Sequence, residues 1–116
     1  VSIQSILTVV KALSGVAYRE EEFKRIGGLF PSSTDIESTR KAKIVAAVEW
    51  AANRGMGRYN LWDDRQKAWV DKGLPALGAI YKTRDPAKRR QVIMTGLFGE
   101  VDKDVFAEVD QYKIRN

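Results

Sequence analysis

The sequence predicts an all-α domain, a compact bundle of five to seven helices around a central buried helix at about residues 35–53. Two observations carry that reading. Apolar residues recur at three- and four-residue spacing in segment after segment, and no stretch alternates with period two over the length of a strand. The run Ile44 to Ala52, IVAAVEWAA, is apolar on nearly every helical face with Glu49 its only charge, so other elements must cover it.

Ser2 to Ser14 sets Ile3, Ile6, Leu7, Val10 and Leu13 on one stripe, and Gly15 ends or bends that helix. A short second helix is expected from Arg19 to Ile26. Its acids Glu20, Glu21 and Glu22 fall in the first turn and its cations Lys24 and Arg25 in the last, as the helix dipole favours. Adjacent acids on a helix point in different directions, so the triplet is a helix start rather than a metal site. Gly27 to Pro31 reads as a left-handed cap, a device that recurs at Gly73 and Gly96.

Thr34 and Glu37 stand three apart and suggest a capping box for the central helix. Four alanines in its apolar half admit close neighbours, and Trp50 supplies volume. Arg54 to Arg58, RGMGR, is expected to be a flexible connection. Asn60 and Asp63 then start the helix LWDDRQKAWVDK, and Leu74 to Tyr81 continues as another turn or two after Pro75. Asp85 caps a further helix, PAKRRQVIMT, with Pro86 at its first position and Gly96 at its end. A last helix runs from Asp102 to about Ile114.

At 116 residues the chain fits one helical domain, 1–116, able to bury roughly two-thirds of its unfolded surface without staples. It opens on Val1 within a helical pattern, so a domain excised or processed from a longer chain is expected. There is no cysteine and no histidine. Disulfides, thiolate nucleophiles, most hydrolase triads and most zinc sites are thereby excluded. Asp63 and Asp64 are adjacent rather than facing, and neither a phosphate loop nor a nucleophile serine motif is present. The chain therefore reads as no enzyme, with no cofactor and no metal. No apolar run approaches the ~18 residues of a spanning helix, so no membrane partner is expected. A cytoplasmic location is favoured.

A net charge of +5 favours acidic partners. Lys82 to Arg90, KTRDPAKRR, holds five cations and one acid. Lys88, Arg89 and Arg90 sit in the first turn and a half of a helix, where the dipole makes cations unfavourable by ~0.3–1 kcal/mol each. Cations placed on amides that already attract anions suit a phosphate site. Trp50, Tyr59, Trp62, Trp69 and Tyr81 lie between the central helix and this turn; Trp50 and Trp69 read as core, Tyr59 and Trp62 as rings on which bases could stack. The expected function is a non-catalytic nucleic-acid-binding module for RNA or single-stranded DNA, with little sequence preference. Its candidate contacts are Arg54, Arg58, Tyr59, Trp62, Lys82, Arg84, Lys88, Arg89 and Arg90. Arg40, Lys41 and Lys43 would extend that basic surface.

A helix-turn-helix from Gln91 to Tyr112 is rejected, because its second helix carries Asp102, Asp104, Glu108 and Asp110, which repel phosphate. Those acids suit a basic face on a neighbouring copy. The alternative is thus a structural or adaptor domain that self-associates or binds a protein partner. Glu49 must reach solvent or find a cation such as Arg54 or Arg58, because a buried unpaired charge costs several kcal/mol.

Overall fold

The computed structural model describes residues 3–16, 18–25, 31–59, 61, 63–65, 67, 68 and 75–112. Among them stand six named helices and no strand: α1 Ile3–Ser14, α2 Glu20–Lys24, α3 Glu37–Tyr59, α4 Pro75–Lys82, α5 Pro86–Phe98 and α6 Lys103–Glu108. The last passes directly into a 3-10 turn, Val109–Gln111. Asp64, Arg65, Lys67 and Ala68 are also helical, in the segment expected to form LWDDRQKAWVDK. The cap expected at Gly27 and Gly28, Gly73, and Trp69 lie outside the described residues.

The central helix is α3, and α1, α4, α5, α6 and the 3-10 turn all pack on it. Its run from Ile44 to Val48 is buried, as are Ala42, Trp50, Ala51 and Ala52. Each neighbour contributes a few large residues: Ile6, Val10 and Leu13 from α1, Ile80 and Tyr81 from α4, Ile93 and Met94 from α5, Val105 from α6 and Val109 after it. Burying one such side chain is worth roughly 1.5–3 kcal/mol, so this shared core outweighs any local helix preference. Trp50 reads correctly as core. Its ring meets Tyr18 at 5.5 Å and Phe23 at 5.9 Å between centroids, which fastens α2 to α3.

Helix α3 differs from expectation at both ends. At its start, Thr34 bonds the Ser32 hydroxyl at 2.9 Å instead of capping residue 37, and Glu37 pairs with Lys41 at 3.4 Å. The turn is closed by Asp35, whose carboxylate accepts the Ser32 amide at 2.8 Å and the Lys43 ammonium at 2.9 Å. A charged pair competes better for the turn than a hydroxyl does. At its far end the helix runs on through Arg54 to Arg58 to Tyr59, so no loop forms there. Gly55 serves close packing, not turning: a Cβ at this position would overlap the Leu13 carbonyl oxygen and lie 2.6 Å from the Tyr81 hydroxyl. Tyr81 donates to that same carbonyl, so α1, α3 and α4 meet at one point where only glycine fits.

Helix α5 also outruns its expected end. Gly96 is helical, and the left-handed cap is Gly99 at φ 76°, whose N–H reaches the Thr95 carbonyl at 2.9 Å. Gly15 ends α1 as expected, at φ 76° with its N–H on Lys11 O. Asp102 caps α6 by accepting from the amides of Asp104 and Val105.

Candidate functional site

The site grows from the turn between α4 and α5. Asp85 is extended and caps α5 through Lys88 N at 3.2 Å, while Pro86 takes the first position, where no N–H is needed. That start fixes the phase of the helix. Arg89 and Arg90 precede Ile93 and Met94 by four residues, and positions four apart share a face. All four side chains are buried.

Arg89 and Arg90 are accordingly drawn inward, with 8% and 7% of their surface exposed. Arg89 donates to Thr83 O at 2.9 Å, Arg84 O at 3.1 Å and Asn53 Oδ1 at 3.1 Å. It thus ties the α4–α5 turn to the far half of α3. Arg90 lies along the Glu49 carboxylate, with Nε on Oε1 and Nη2 on Oε2 at 3.1 Å. Its Nη2 also reaches Asp110 Oδ1 at 2.9 Å, its Nη1 reaches Phe106 O at 2.9 Å, and its guanidinium lies 5.0 Å from the Phe106 ring centre. Burial works against its charge, but the bonds to Glu49 and then Asp110 outweigh burial and hold its proton more firmly than usual. Glu49 therefore finds its cation on α5, not at Arg54 or Arg58. The two arginines act as internal clamps, and the exposed cations of the turn are Lys82, Arg84 and Lys88.

A further exposed cation stands on α3. The bonds of Arg89 bring Asn53 beside residues 83 and 84, and Arg54, the next residue of α3, is exposed with its guanidinium 4.8 Å from the Trp50 ring centre. Arg54, Arg84 and Lys88 have no ion-pair partner among the described residues. Of the expected stacking groups, Trp62 lies outside the described residues, and Arg58 and Tyr59 are described only as backbone at the end of α3. Tyr81 is 5% exposed and holds the Leu13 carbonyl, so it presents no free ring.

Arg40, Lys41 and Lys43 do not extend this surface. Helix α5 runs antiparallel to α3, with Arg89 at Asn53 and Phe98 beneath Lys41, whose ammonium is 5.2 Å from that ring centre. Lys43 is held by Asp35 and sits 5.6 Å from the Tyr112 ring centre. Ten residues of helix, about 15 Å, separate Lys43 from Asn53. The acids expected at the chain end are exposed at Asp102, Asp104 and Asp110, with Glu100 beside them.

A cavity of about 300 Å³ opens between α3, α5 and α6. Glu49 and Asn53 line it from α3, Pro86, Ala87, Arg89 and Arg90 from α5, and Phe106 and Asp110 from α6 and the turn beyond. Among the described residues no group of three or more acids is placed to hold a metal ion, and no helix is long and apolar enough to cross a membrane. Comparison with known proteins finds no matching family, no similar curated protein and no similar solved structure.

Proposed function

We propose that the chain is a non-catalytic helical module that binds RNA or single-stranded DNA through its phosphates. Arg54, Lys82, Arg84 and Lys88 are the contacts, and Arg89 and Arg90 hold the elements that carry them. Arg58, Tyr59 and Trp62 come next in the sequence and are the further candidate contacts, two of them with rings on which stacking would be worth ~1–3 kcal/mol per base.

One observation supports this reading above the others. Arg54, Arg84 and Lys88 are exposed, with no carboxylate paired to them among the described residues. Lys88 is placed where the α5 dipole opposes its charge, and Asp85 offsets that only in part. A phosphate strand would satisfy all of these cations at once. The test is affinity for a short oligonucleotide across a salt series. Binding should weaken as salt rises, with a slope of about −0.7 for each phosphate neutralised, and alanine at Arg84 and Lys88 should flatten that slope.

A second reading, an adaptor that assembles with itself, is favoured by the exposed Glu100, Asp102 and Asp104 around Val101, which is 39% exposed. Sedimentation separates the two. Mass that rises with protein concentration and falls with salt supports assembly, and a fixed monomer mass removes it.

A further inference from the structure

The cavity between α3, α5 and α6 contains two buried guanidiniums that are treated very differently. Arg90 meets two carboxylates, Glu49 and Asp110. Arg89 meets none: its three acceptors are two backbone carbonyls and the side-chain oxygen of Asn53. A buried cation without a counter-charge is costly, and an anion in the cavity would remove that cost.

The donors on this side of the cavity are in surplus as well. A guanidinium carries five N–H groups, and three of those on Arg89 are used, which leaves two. Asn53 is exposed; it spends its oxygen on Arg89, and its amide N–H₂, with no acceptor among the described residues, is open to solvent or to a ligand. Ala87 is at the second position of α5, where the backbone N–H has no partner within the helix. The caps reach only its neighbours: Asp85 takes the amides of Lys88 and Arg89. Arg89, Asn53 and Ala87 all line the same cavity, at the positive end of a 13-residue helix. Two carboxylates, Glu49 and Asp110, also line the cavity, and Arg90 engages both oxygens of the first and one of the second.

From this arrangement we propose that the cavity binds a phosphate monoester, held by Arg89, the Asn53 amide and the Ala87 N–H. Its volume, about 300 Å³, is at the small end of ligand pockets and suits one phosphate with the sugar attached to it. The ligand is a mononucleotide or the phosphorylated end of a strand. That choice of ligand rests on the function proposed above for the adjoining cations; the anion site itself does not.

Replacing Arg89 would also release the α4–α5 turn, so the informative variant is Asn53→Asp. It preserves an acceptor for Arg89, and supplies the missing counter-charge, while removing the amide donors and repelling an anion. Calorimetry with inorganic phosphate, a nucleoside monophosphate and one oligonucleotide bearing either a 5′-phosphate or a 5′-hydroxyl gives the result. Phosphate and the monophosphate should bind the native chain, and Asn53→Asp should abolish both while raising the melting temperature. If the strand end is the source, the 5′-phosphate should improve oligonucleotide affinity about tenfold; if the free nucleotide is, the two oligonucleotides should bind alike. No binding of phosphate or monophosphate to the native chain, or equal binding to Asn53→Asp, would overturn the proposal. Salt-dependent binding of the 5′-hydroxyl strand reports separately on the exposed cations, so either reading can fail alone.

Discussion

Arg90 on α5 and Glu49 on α3 form a two-bond ion pair in the interior, 8% and 13% exposed at their side chains. Such a pair adds little net stability, because both charges were taken from water. Removing one partner strands the other. Glu49→Ala should cost about 3–5 kcal/mol in urea unfolding, whereas Glu49→Leu combined with Arg90→Met should be neutral or more stable by about 1–4 kcal/mol.

Gly55→Ala should be among the most damaging methyl additions in the chain. The new Cβ would collide with the backbone carbonyl of Leu13, which cannot swing aside as a side chain could. A loss of at least about 1–3 kcal/mol is expected, read as a lowered denaturation midpoint with an unchanged slope. Gly99→Ala is the control: no atom lies within 4 Å, but φ is 76°, so its cost is the backbone penalty of about 1–2 kcal/mol alone.

Acid should loosen the start of α3 through Asp35. The Lys43 ammonium and then the Ser32 amide hold its carboxyl below the ordinary value of 3.8, with slight burial opposing them. A depressed folded-state pKa adds stability that is full above the unfolded value and lost as pH falls through the folded one. Stability should therefore decline below about pH 4 by this route, and Asp35→Asn should remove that part of the decline. Amide exchange at residues 37–40 across pH 2–6 measures it.

Lys88→Ala should separate folding from binding. It removes a cation from the first turn of α5 and should stabilise the chain by about 0.3–1 kcal/mol. The same change should weaken oligonucleotide binding, as a residue retained for a ligand would.

Much of the architecture was legible from periodicity. Ile3 to Leu13, the run from Ile44 to Ala52, and Asp85 with Pro86 mark their helices because burial, capping and a fixed φ act locally. Glycine misled in two places for one reason. The sequence pattern predicts breaks at Gly55 and Gly96, yet one sits inside α3 because three elements cross there, and the other sits inside α5 because Gly99 supplies the cap. Packing across distant segments decides such cases, and spacing does not carry it. The basic turn was half legible. Lys82, Arg84 and Lys88 are exposed as a charge cluster suggests, but Arg89 and Arg90 continue the stripe of Ile93 and Met94 four residues on. That spacing was a usable sign of burial. The acceptors that made it tolerable, Asn53, Glu49 and Asp110, come from elsewhere in the chain.

The most direct measurement of the proposed function is the affinity of the native chain and of Arg84→Ala/Lys88→Ala for a short single-stranded oligonucleotide, from about 50 to 200 mM salt. The native chain should bind with a clear salt slope, and the double variant should bind more weakly with a slope smaller by about 1 to 1.5 while folding as well as the native chain. No binding at about 50 mM salt, or an identical slope for both proteins, would contradict it.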